Sequence, residues 1–135
     1  MRYQRPSDIA TFKASGPERL ERLARFLDDL PSGMLTFTRW YGHGRGCAVG
    51  LAAHRCVWMQ AQGLQLENSD GSRVSHPAFG GQTDWPAVAS FFELSPEGAM
   101  DLFSARGYGG DLRPDPRTVA ARIRSRLAAM AAVTA

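Results

Sequence analysis

Residues 40–53 read "WYGHGRGCAVGLAA". Gly42, Gly44, Gly46 and Gly50 fall in this stretch together with His43, Arg45 and Cys47. It follows the β-rich "MLTFTRWY" at 34–41 and runs into "CAVGLAAHRCVWMQA" at 47–61. If the glycines cradle a phosphate, the chain is a doubly wound α/β protein. If they form a tight turn and a close helix contact, the segment from Cys47 is a buried helix inside a mostly helical domain.

A dinucleotide cradle needs a buried first strand, a tight turn and helix amides aimed at a pyrophosphate. Glu67 stands at about the right distance for the ribose. The spacing, however, is G-x-G-x-G-x-x-x-G rather than G-x-G-x-x-G. Thr36, Thr38 and Arg39 occupy the preceding stretch where an apolar parallel strand is required. The rest of the chain lacks alternating strands and helices, and no G-x-x-x-x-G-K-[ST] loop is present. The stretch therefore reads as a packing device: glycines for a sharp turn, then small residues (Ala48, Gly50, Ala52, Ala53) that admit a close neighbour.

Outward from this stretch, helix signals dominate. In "SGPERLERLARFLDDL", Ser15 and Glu18 form a capping box and Pro17 suits the first turn. Leu20, Leu23, Ala24, Leu27 and Leu30 share one face, and "PSG" at 31–33 ends the helix. "GLQLENSDGSRVSH" reads as a hairpin with turn chemistry at "NSDG", and "PAFGGQTD" as loop. Thr83 or Asp84 caps a short helix carrying Val88, Ala89 and Phe92. Ser95 caps the next, with Pro96 at its start and Ala99, Leu102 and Phe103 inward. Asp115 and Pro116 start a last helix with a stripe of Val119, Ala120, Ile123, Leu127 and Met130. The expected architecture is α+β and mostly helical, with four to five helices around the small-residue helix and one short hairpin. An N-terminal arm over 1–14 precedes a single globular domain over 15–135.

The 135 residues suit one domain, with 44% hydrophobic and 21% charged residues. No apolar run spans a membrane and no secretory signal is visible at the start, so a cytoplasmic protein is the default. Of the 16 basic residues only Lys13 is lysine. This arginine bias, with abundant Ala and Gly, matches a GC-rich bacterial-type genome and weakens any reading of arginines as chosen for recognition. The net charge of +3 permits an acidic partner without demanding one.

Four chemistries are weighed against bland readings. His43, Cys47, His54 and Cys56 supply four zinc-type ligands. Yet Gly44 and Gly46 deny a helix across His43–Cys47, and His54 and Cys56 point to different helix faces. Cys47 at a helix N-terminus is a candidate nucleophile with His43 or His76 as base, but "CAVGLAA" looks like core, where free cysteine is common. Residues 87–108 scan as helix-turn-helix, but the second helix offers Glu97 and Asp101 where DNA needs bases. The basic surface is instead the last helix and its approach, Arg113, Arg117, Arg122, Arg124 and Arg126, with Tyr108 in a glycine-rich loop suited to an interface. The tryptophans and phenylalanines read mostly as core.

Trp40, "CAVGLA" at 47–52, "GLQL" at 63–66, "FFELSPEGAMDLF" at 91–103 and "TVAARIRSRL" at 118–127 occur in an order with a precedent. It resembles a loose group of small bacterial and phage-type proteins of no established activity. Their common pattern has a helix, a Trp, a Cys-Gly-Thr-x-x-Cys-x-x-Gly-like stretch, a Gly-Leu hairpin, an FFGLS-like helix pair and a terminal Val-Ala-x-Arg-Ile helix. The resemblance implies an architecture and no chemistry. Where the pattern has its first Cys this chain has Gly42, so a two-cysteine redox or metal role lacks a ligand.

The sequence thus predicts a non-catalytic binding or regulatory module, without a cofactor, that contacts a protein partner. Arg113, Arg117, Arg122, Arg124, Arg126 and Tyr108 are the expected contact residues. The alternatives are a small cysteine enzyme using Cys47 and His43, and a nucleic-acid-associated factor using the terminal helix.

Overall fold

The structure, a computed structural model, describes residues 13–68 and 74–134. Most of the N-terminal arm expected over 1–14, and the "NSDG" turn beyond Asn68, lie outside these residues. Helix α1 (Gly16–Asp28) starts as its sequence dictates: the Ser15 hydroxyl accepts from the Glu18 N–H while the Glu18 carboxylate accepts from the Ser15 N–H. Two short strands follow, β1 (Tyr41–Gly42) and β2 (Arg45–Gly46), paired antiparallel. Their two-residue turn is His43 (φ 56°) and Gly44 (φ 76°). Positive φ at both central positions is the twist that a tight hairpin needs. The stretch read as a turn is therefore a minimal hairpin.

The segment 47–61 is divided. Helix α2 (Ala48–Arg55) and helix α3 (Val57–Ala61) are separated by Cys56 in extended conformation. Strands β3 (Gln65–Glu67), β4 (His76–Phe79) and β5 (Gln82–Thr83) then form an antiparallel meander. The first pair is the expected hairpin. The second corrects the loop expected over 77–84: Gly80 (φ 58°) and Gly81 (φ 82°) make a two-residue turn of the same positive-φ kind.

Helix α4 (Asp84–Phe92) and helix α5 (Pro96–Phe103) form the helical corner. The Ser95 hydroxyl accepts from the Gly98 N–H at 3.0 Å. A 3₁₀ turn (Ala105–Tyr108) leads to helix α6 (Pro116–Thr134), where the Asp115 carboxylate accepts from the Arg117 N–H at 2.8 Å. The molecule is α+β and mostly helical, with six α-helices and two small antiparallel sheets among the described residues. No helix among them is long and apolar enough to cross a membrane.

The core joins these elements through α1 and α2. Helix α1 lies along α6 and also touches α2 and α4. Helix α2 touches α1, α3 and both sheets, and every residue from Ala48 to Ala53 is buried. Phe91, Phe92 and Phe103 interlock at 4.9 and 5.4 Å between ring centroids. A guanidinium is enclosed with them. Arg19 is 2% exposed, stacks over the Phe91 ring at 4.4 Å and donates to the Phe91 carbonyl (2.8 Å) and to Gln62 Oε1 (3.2 and 3.3 Å). These neutral acceptors satisfy the guanidinium, while burial pulls its pKa below the ordinary value.

Candidate functional site

The glycines bring chain segments together. A Cβ on Gly50 would stand 1.8 Å from the Trp40 carbonyl oxygen, and one on Gly46 would stand 2.2 Å from it. Only a bare backbone lets the Trp40 peptide lie against the first turn of α2. That contact turns residues 37–40 into a wrap over Cys47, whose N–H donates to the carbonyls of Arg39 and Trp40 at 3.1 Å. On the other side, the Thr36 N–H donates to the Gly46 carbonyl at 2.9 Å, and the Phe37 N–H to the Leu112 carbonyl at 2.8 Å.

Cys47 is the N-cap of α2: its Sγ accepts from the Gly50 N–H at 3.4 Å. A helix N-terminus and this bond both favour thiolate, yet the side chain is 3% exposed. Desolvation outweighs the backbone bonds and pushes the thiol pKa up to about 11. The group is a neutral thiol at pH 7.

Above it lies a cleft of about 230 Å³. Cys47 and Phe103 form the floor. Phe37, Thr38, Arg39, Trp40, Trp85 and Ser104 form the walls. Trp40 and Trp85 meet edge to face at 4.7 Å between centroids and 62° between planes. Both are only half-buried, unlike the three interlocked phenylalanines. Arg39 is the charged residue of the lining; its Nη1 donates to the Gly42 carbonyl at 3.3 Å. The Ser104 hydroxyl donates to the Met100 carbonyl at 2.6 Å. No imidazole lines the cleft.

The histidines stand elsewhere. His43 is exposed in the β1–β2 turn, and His54 is exposed at the end of α2, stacked on Tyr41 at 4.3 Å. His76 Nδ1 is 3.5 Å from an Asp84 carboxylate oxygen. Among the described residues no three His, Cys, Asp or Glu side chains form a group able to hold a metal. The four residues His43, Cys47, His54 and Cys56 are thus not brought together. Both thiols are free.

Most of the arginines expected to meet a partner meet this chain. Arg117 donates to the Asp28 and Leu30 carbonyls at the end of α1, to Ser32 and to Asp115. Arg124 forms a two-bond pair with the Asp28 carboxylate at 2.7 and 3.1 Å, which holds Asp28 below the usual carboxylate range. Arg122 donates to the Gly107 carbonyl and covers the Tyr108 ring at 5.0 Å. Arg126 packs over Gly98, where an added Cβ would stand 2.6 Å from its Nη2. Arg113 is exposed on the loop before α6. Tyr108 donates to the Leu102 carbonyl at 2.8 Å and lies 5.4 Å from the Phe37 ring. Burial pushes its phenol pKa up to about 12.

Sequence reasoning missed the cleft. It placed Trp40 and Trp85 among core residues and gave no role to Arg39 or Ser104. The signal was thin: a polar pair, Thr38–Arg39, directly before an aromatic that a glycine contact fixes in place. Compared with known proteins, the chain matches no family model, no curated protein and no solved structure.

Proposed function

We propose that the chain is a non-catalytic binding module of the cytoplasm, engaging a protein partner through the cleft that Trp40 and Trp85 line. The observation that carries this reading is the contrast between the cleft's floor and its walls. The thiol beneath is neutral, enclosed and already used as a helix cap. The walls offer two half-exposed indoles and a guanidinium, residue types that dominate binding energy at interfaces. Leu112 extends the apolar surface: it is exposed and hydrogen-bonded through its carbonyl to Phe37 at the cleft wall. The terminal arginines support a structural role more than a docking role, because they tie α6 to α1, α5 and the 3₁₀ turn.

The test is selection from a displayed random-peptide library, followed by mapping of the winners by amide and indole NMR shifts. The reading expects selected peptides to move the indole signals of Trp40 and Trp85 and leave Trp58 in place. Trp58 stands apart, beneath the Arg22 guanidinium at 4.9 Å. Selected peptides that map to α6 with no shift at Trp40 or Trp85 would refute it.

A further inference from the structure

We propose that the Trp40–Trp85 cleft is a binding site for a single aromatic ring bearing a carboxylate. This rests on the reading above and adds the chemistry of the bound group.

Size sets the first limit. A cavity of about 150 Å³ holds benzene, and drug-sized ligands need roughly 300 Å³ or more. At about 230 Å³ the cleft takes one ring with a small substituent. Shape sets the second. Trp40 and Trp85 already touch edge to face at 4.7 Å, so a ligand ring packs beside the pair, against part-exposed indole surface suited to a stacked or edge contact. Phe37 and Phe103 continue the apolar lining.

Charge sets the third. Arg39 spends one N–H on the Gly42 carbonyl at the long distance of 3.3 Å, and the rest of its planar fork is left for a carboxylate. A cationic ligand would meet Arg39 with no carboxylate among the described lining residues to offset its charge. Two sources share the chemistry: a free aromatic acid, or the C-terminal aromatic residue of a protein.

The probes are N-acetyl-phenylalanine, its amide, and a short peptide ending in phenylalanine, each titrated into the ¹⁵N-labelled full chain. The three indole N–H signals are the readout. The expected result is a saturable shift of Trp40 and Trp85 by the acid at about millimolar concentration, with Trp58 unmoved. The amide binds about tenfold more weakly, the loss of one charge-assisted contact. R39Q, a change at a partly exposed side chain, erases the difference between acid and amide. If the peptide binds tighter than the free acid, the source is a protein terminus; if both bind alike, it is a small molecule. Either result supports the site. Equal binding of acid and amide, a uniform shift of all three indoles, or no shift at about 10 mM overturns the proposal. A selected peptide of other chemistry that occupies the cleft also overturns it, while leaving the binding-module reading standing.

Discussion

The residue on which the site turns is Gly50. Its missing side chain lets the Trp40 carbonyl sit against α2 and so fixes the 37–40 wall of the cleft over Cys47. Gly50→Ala is expected to cost about 3 kcal/mol in urea denaturation, because backbone rather than a flexible side chain must move. Gly44→Ala is the control: it meets nothing within 4 Å and pays only for its positive φ, about 1 kcal/mol. Equal costs would contradict the packing role of Gly50. Cys47 makes a pH prediction. Its pKa rises from 9.0 in the ordinary state to about 11 when folded, so the unfolded chain loses this proton first. The associated stability is fully present below pH 9 and is lost as pH climbs through 11. Cys47→Ser removes that titration and keeps a capping oxygen, so its stability profile is flatter between pH 9 and 11 than that of the parent. A profile unchanged by the substitution would show that the thiol is not enclosed.

At the scale of elements, α1 and α6 are joined by arginines. Arg117 closes the carbonyl end of α1 while bonded to Asp115 at the start of its own helix. Arg117→Ala is expected to cost about 1–2 kcal/mol by thermal or chemical denaturation, since several hydrogen bonds go at once. Arg113→Ala should fall within about 0.5 kcal/mol of the parent. If the two are equal, the clamp contributes nothing. Helix starts were legible because Ser15, Ser95 and Asp115 are local signals acting within a single turn. The hairpins were less so. Gly80-Gly81 is a two-residue turn signal, but the strands beside it are too short and mixed to alternate visibly, and Pro77 argued for loop. The break at Cys56 has no local cause: "AAHRCVWMQ" contains no helix breaker. It is set by packing that buries Met59 completely and leaves Val57 58% exposed. Such long-range requirements leave no periodic trace.

At the scale of the whole molecule, Arg19 links α1 to α4 and to Gln62 at the end of α3. Arg19→Met keeps most of the volume but removes the donors to a buried carbonyl, at an expected cost of about 2 kcal/mol. A gain in stability would mean that the desolvation of the guanidinium outweighs its bonds. Nothing in the sequence foretells this, because charge burial depends on acceptors more than forty residues away. The same holds for the cleft, whose lining around Cys47 comes from residues 37–40, 85 and 103–104. Composition and spacing made the helical class visible, but only the closed fold joins those three segments. The proposed function makes the thiol beneath the cleft structural and the surface above it the part that binds. Iodoacetamide labelling at pH 7.5, read by peptide mass spectrometry, tests this most directly, with the half-exposed Cys56 as internal reference. The account predicts that Cys56 is alkylated in the native protein and Cys47 only when urea unfolds it. Native labelling of Cys47 as fast as Cys56, or faster, would contradict it.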